Sequence, residues 1–245
     1  MRRFSLIVIS LLFASHIWGL NLEPLSMQFK PEGRQSIRTF RISNTHKNSI
    51  AVRISMTTRE LMPDGTENRS PADSEFTVFP NRLFIAPGQS QAVRVQWKGE
   101  STLTQEKAYR IIAEQLPVQD ITQSTTQNEG GISLSFLYKY VGSVYITPDN
   151  AKENIVLSGE ADNSKYILKF ENRGTAHAVM EDAEITLITN PTGGSEIRHR
   201  IEYKDLKILA GKNFLAGAAL IEVIDLPLNL QNQNIKIEYS FKTTQ

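Results

Sequence analysis

Arg110, within EKAYRIIAEQLP (106–117), is the side chain best suited to hold a ligand. In a strand, Tyr109, Ile111 and Ala113 share one face, and Arg110, Ile112 and Glu114 the other. One reading is a sheet with a core side and a charged solvent side. The other places Arg110 at the edge of a cleft, where its planar fork suits a carboxylate through two parallel hydrogen bonds. The pattern leaves both open. Proton-transfer chemistry finds less support. Beyond the N-terminal segment only His46, His177 and His199 remain. His177 precedes Glu181, Asp182 and Glu184, but HAVMEDAE has no metal-ligand spacing, so a charged strand edge is expected. GISLS (131–135) lacks the second glycine of a G-x-S-x-G elbow. There is no Walker or dinucleotide glycine motif, and cysteine is absent, which removes thiol chemistry and disulfides. No enzyme, metal or cofactor is expected.

The elements that must position these residues read as short strands. In IAVRISM, Ile50, Val52, Ile54 and Met56 alternate with smaller or polar residues; in QAVRVQW, Val93, Val95 and Trp97 do. YILKFEN aligns Tyr166, Leu168 and Phe170, and NIKIEYSFK aligns Ile235, Ile237, Tyr239 and Phe241. Turn signals separate them: Pro63-Asp64-Gly65, Pro87-Gly88, Asn172-Arg173-Gly174, Gly193-Gly194 and Gly211. Such spacing predicts β-sandwiches. The polar TPDNAKEN (147–154) divides them, predicting one domain over 20–147 and a second over 148–245. The polar loop 118–131 is the expected mobile segment. After it, Ile132, Leu134, Phe136 and Tyr138 of ISLSFLYKY share one face. Whether they fill this chain's core or another's is open from the pattern.

The N-terminus reads as an export signal. Arg2 and Arg3 precede an apolar run, Leu6 to Phe13, broken by Ser10; small residues follow, and cleavage is expected after Gly19. The run is short for a bilayer span, and no later stretch is long enough, so no membrane insertion of the mature chain is expected. The formal charge of +1 gives no basic surface for nucleic acid. Export without cysteine fits a bacterial periplasm.

The order of motifs carries a resemblance. The export signal leads to FRISN (40–44), IAVRISM, PDGTEN (63–68) and FTVFPNRLFIAPGQSQAVRVQW (76–97). AYRIIAEQLP (108–117), GGISLSFLYKYVGSVYITP (130–148) and LKFENRGTAHA (168–178) follow. The whole mature chain resembles the PapD-like periplasmic chaperones of pilus and fimbria assembly, and its tyrosine–arginine pair is most similar to their archaic or alternative branch. That resemblance implies two immunoglobulin-like sandwiches in an L shape. It implies pilus subunits as partners, completed by a strand lent from the first domain, and delivery to an outer-membrane usher. Ile132, Leu134, Phe136 and Tyr138 would be the donor residues. Arg110 and Lys139 would hold the subunit's terminal carboxylate, and Glu114 would help to set the angle between domains. The chain departs from the better-known members on its first strand, where Gln28 replaces a cleft arginine and Lys30 and Arg34 are shifted. The alternative is a secreted two-domain adhesion or carbohydrate-binding module. It calls for exposed aromatic platforms, whereas Trp97 alternates with core residues.

Overall fold

The structure, a computed structural model, describes residues 19–117, 137–191, 194–209, 211 and 213–244. It is all-β. The first half contains β1 (Leu20–Glu23), β2 (Ser26–Phe29), β3 (Ile37–Asn44), β4 (Ile50–Thr58), β5 (Glu60–Leu61) and β6 (Glu67–Asn68). β7 (Phe76–Phe79), β8 (Arg82–Ile85), β9 (Ser90–Trp97), β10 (Lys107–Leu116) and β11 (Lys139–Ile146) follow. One sheet runs β1-β3-β9-β7 and faces a second, β2-β11-β10-β4-β8. The alternation explains the packing: Val52, Ile54, Met56, Val93, Val95, Trp97, Tyr109, Ile111 and Ala113 are all buried in one core. Each large side chain so buried contributes about 1.5–3 kcal/mol.

The second sandwich contains β12 (Ile155–Asp162), β13 (Lys165–Asn172), β14 (Ala178–Thr189), β15 (Ile197–Glu202), β16 (Asn213–Phe214), β17 (Ala219–Asp225) and β18 (Lys236–Thr244). Its sheets are β12-β13-β17 and β15-β14-β16, with β18 also on β14. Tyr166, Leu168 and Phe170 are fully buried, as their spacing predicts. The row on β18 is only half covered: Ile237 and Phe241 pack against the core, but Tyr239 is exposed.

The two sandwiches share a corner that composition hides. Asn44 ends β3, and its amide donates to the carbonyls of Asn48 and Ile85, both at 2.9 Å. Asn172 ends β13 and donates to Ala176 at 2.8 Å and Phe214 at 3.0 Å. The backbone N–H groups of Gly88 and Gly217 return to Asn44 O and Asn172 O. Both glycines have φ near +70°, which a residue with a Cβ adopts only at a cost. Each asparagine thus binds one carbonyl of the turn that follows it and one at the end of another strand.

Candidate functional site: the outer face of β10 and β11

The register of the five-stranded sheet sets its outer face in rows. Thr57 of β4, Arg110 of β10 and Ser143 of β11 form one; Ser55, Ile112 and Val141 the next; Arg53, Glu114 and Lys139 the third. Arg110 therefore points away from its own core, while its neighbour Tyr109 points in. Tyr109 packs edge-on against Phe76, and its hydroxyl donates to Glu75 at 2.7 Å.

Arg110 is held at every corner of its guanidinium. Nη1 donates to Ser143 Oγ at 2.5 Å, Nε to Glu67 Oε2 at 3.1 Å, and Nη2 to Glu67 Oε1. Glu67 lies on β6, which pairs with β5 in a short hairpin closed by the predicted Pro63-Asp64-Gly65 turn. The same carboxylate accepts from Arg59 Nε at 2.8 Å and Arg69 Nη2 at 2.6 Å. Burial pushes the Glu67 carboxyl upward. The bonds from Arg110 and Arg69 and the charge of Arg59 outweigh it and bring the pKa down to about 2. Three guanidiniums thus surround one carboxylate.

The other expected site residues are distributed differently. Lys139 shares the outer face with Arg110 but sits four residues from Ser143 along β11, about 13 Å. Its ammonium lies 3.8 Å from Glu114, which also takes Arg53 Nη2 at 2.6 Å. Glu114 thus makes both of its ion pairs inside the first sandwich. Tyr138 is half-buried beside His46, with ring centroids 5.0 Å apart, at the rim of this chain's first core. Ile132, Leu134 and Phe136, and the loop 118–131, lie outside the described residues. Gln28 lies on β2, paired with Tyr145, and Lys30, just beyond that strand, is bound to Asp149 at 2.7 Å.

The acid that joins the sandwiches is Glu106. Its buried carboxylate accepts from Thr147 Oγ1 at 2.7 Å and from the backbone N–H of His177 at 3.1 Å, and lies 2.7 Å from His177 Nδ1. The His177 ring stacks on Tyr145 at 3.8 Å. The Tyr145 hydroxyl accepts from Asn213 of the second sandwich and from Arg59 Nη1 at 2.7 Å. His177 does not meet the acids of HAVMEDAE: Glu181 binds Lys242, and Glu184 binds Arg200. The period that put Arg110 and Glu114 on one face puts Glu106 there too, at the end nearer the second sandwich. That signal was available. The convergence on Glu67 had none beyond the turn.

β2 pairs with β11 only over Ser143–Ile146. Upstream, Lys139–Gly142 pair with β10 on one side and with no strand on the other among the described residues. The sheet thus offers an open backbone edge leading towards residues 132–136.

Residues 20–151, more than half of the chain, match the family described as pili and flagellar-assembly chaperone, PapD N-terminal domain. Comparison with curated protein sequences finds no match. Among solved structures, the class 5 fimbriae chaperone CfaA aligns over 90% of this chain and 99% of its own, with a TM-score of 0.57 and 14% identity. The Salmonella enterica SafA pilin in complex with the SafB chaperone gives a TM-score of 0.51 at 17% identity, over 94% of this chain and 99% of the matched one. The CsuC–CsuE chaperone–tip adhesion subunit complex of Acinetobacter baumannii gives 0.50 at 14% identity, over 87% and 92%. At these identities the likeness is one of fold. The family match carries the assignment: the chain belongs to the PapD-like chaperones of pilus and fimbria assembly.

Proposed function

We propose that this chain is a non-enzymatic periplasmic chaperone that holds a pilus or fimbrial subunit by donating a strand and passes it to an outer-membrane usher. The open edge of β11 upstream of Ser143 carries this reading. Backbone pairing with a second chain needs such an edge, and alternate side chains entering pockets supply the specificity. Val144 and Ile146 of β11, with Tyr138 just before it, share the face that packs in the first core. Ile132, Leu134 and Phe136 fall in the same alternation in the sequence and would fill a subunit's groove. The donor strand belongs to domain 20–147, with 148–245 as the second domain and the leader removed after Gly19. Relatives support the partner: SafB is in complex with a pilin and CsuC with a tip subunit.

Arg110 is the anchor for the subunit's terminal carboxylate; Lys139, two rows away, is a second charge further along the same strand pair. Losing the anchor while the carboxylate stays buried costs about 2–5 kcal/mol. Arg110→Ala should therefore weaken capture by about 30-fold or more. The test is co-purification of an exported subunit with the wild-type chain and with Leu134→Glu and Phe136→Glu. Both variants should fold and lose the subunit. Unfolding of either free variant would mean that these side chains belong to this chain's own core, and capture by a folded double variant would overturn strand donation.

A further inference from the structure

Glu67 already does to Arg110 what a ligand carboxylate would. Its two oxygens take the Nε and Nη2 donors of one guanidinium side by side. The fork is therefore filled by a carboxylate of this chain, and an incoming one must compete with it. The surroundings make the exchange feasible. Arg59 and Arg69 both bind Glu67 independently of Arg110. Three cations share one anion, leaving an excess of two positive charges on the four groups, and Arg110 retains some solvent access, with 15% of its side chain exposed. If Arg110 turns to a second carboxylate, Glu67 keeps two guanidiniums, and no buried charge is left alone.

The hairpin carrying Glu67 is fixed independently. Leu61 on β5 packs into the core of the second sandwich, and Ile221 N donates to Pro63 O at 2.8 Å. Arg59 is tied to Tyr145, which also contacts Asn213 of the second sandwich. Releasing Arg110 breaks none of these contacts, so the exchange requires side-chain rotation and leaves the hairpin docked.

We infer that Glu67 is a resident carboxylate that occupies the Arg110 fork in the free protein and yields it to a chain-terminal carboxylate while remaining bound by Arg59 and Arg69. This rests on Arg110 being the carboxylate anchor. It makes Glu67 a specificity residue: a ligand ending in a neutral group gains nothing by displacing it, whereas a terminal carboxylate recovers the bidentate pair.

The test uses the whole folded chain and a synthetic strand peptide of alternating threonine and valine, as the free acid and as the C-terminal amide. NMR follows the side-chain Nε–H signals of Arg59, Arg69 and Arg110 in the wild type. The free acid should move the Arg110 signal and leave those of Arg59 and Arg69 in place, and the amide should move none. Glu67→Gln, which keeps the shape and removes the competing charge, should bind the free acid about tenfold more tightly, the size of one charge-assisted bond no longer contested. Its affinity for the amide should not change. Equal movement of all three arginine signals, or none on saturation with the free acid, would overturn the exchange. So would a folded Glu67→Gln variant that binds the acid no better than wild type, since Glu67 would then position Arg110 instead of competing for it. If Glu67→Gln does not fold, the wild-type NMR titration decides alone. Arg110→Ala binding the free acid as tightly as wild type would instead overturn the carboxylate anchor itself.

Discussion

Replacing Glu106 with alanine should loosen the joint between the sandwiches. The carboxylate is 1% exposed and meets three groups: the Thr147 hydroxyl, the His177 N–H and the His177 ring nitrogen. Truncation strands all three in a place that water barely reaches. Each stranded group costs about 1–3 kcal/mol. A water entering the vacated space recovers part of this, so the net loss should be about 3–5 kcal/mol. Glu106→Gln keeps one acceptor oxygen and should cost about half as much. Urea unfolding gives the stability, and amide exchange at His177 reports whether the damage lies at the joint. Because the lost contacts bridge two cores, the variant should also unfold in two transitions, each with a smaller urea dependence than the wild-type transition. A double-mutant cycle with His177→Ala isolates the pair, and its coupling should exceed about 1 kcal/mol. Glu114→Ala is the control: its partially exposed pairs with Arg53 and Lys139 should be worth under about 1 kcal/mol. A loss from Glu106→Ala no greater than that of the control, with exchange at His177 unchanged, would refute the reasoning.

Two further outcomes follow from buried groups. The Glu67 carboxyl titrates near 2 in the folded chain against 4.5 when unperturbed, so its contribution to stability is complete above 4.5 and is lost as pH falls through about 2. The stability gap between wild type and Glu67→Gln should therefore be constant above that window and shrink within it, as urea unfolding on both sides of the window measures; a gap independent of pH would contradict the assignment. Asn172→Ala should cost about 2–4 kcal/mol, because it strands two buried carbonyls, and Asn44→Ala about 1–3 kcal/mol, because of its two acceptors only the Ile85 carbonyl is buried. Thermal unfolding of the two variants would show whether the repeated corner matters equally in both sandwiches.

Period-two alternation carried the fold. It located the buried rows of β4, β9 and β13, and it placed Tyr109 and Arg110 on opposite faces of β10. It was weakest at β18, an edge strand whose apolar row is half covered, so that Tyr239 remains exposed despite perfect alternation. It also missed the shared corner. FRISN and LKFEN both end in the asparagine that turns the strand, but the glycines that answer them lie 44 and 45 residues downstream, at Gly88 and Gly217. A local window cannot contain both halves of that bond.

The site shows the same limit more sharply. Alternation states which face a side chain takes and is silent on what crosses that face. Arg110 and Glu114 lie on the outer face of β10 and Glu106, just before it, follows the same alternation, which by itself does not rank one acid above another for the joint. The difference is made by their neighbours across the sheet. Glu114 stands between Arg53 and Lys139, two long cations that reach it within the first sandwich. Glu106 stands where β10 and β11 meet the second sandwich, and its partners are Thr147 and His177. Arg110 lies between these positions, and its charge partner arrives from a hairpin 43 residues away in sequence. That hairpin is anchored in the second core through Leu61, while Arg59 connects Glu67 to Tyr145 and thence to Asn213 and His177. The fork and the joint therefore share one polar network. An arginine on a polar strand face, ambiguous as sequence, is bound to a carboxylate of its own chain because the second sandwich fixes the hairpin that carries it.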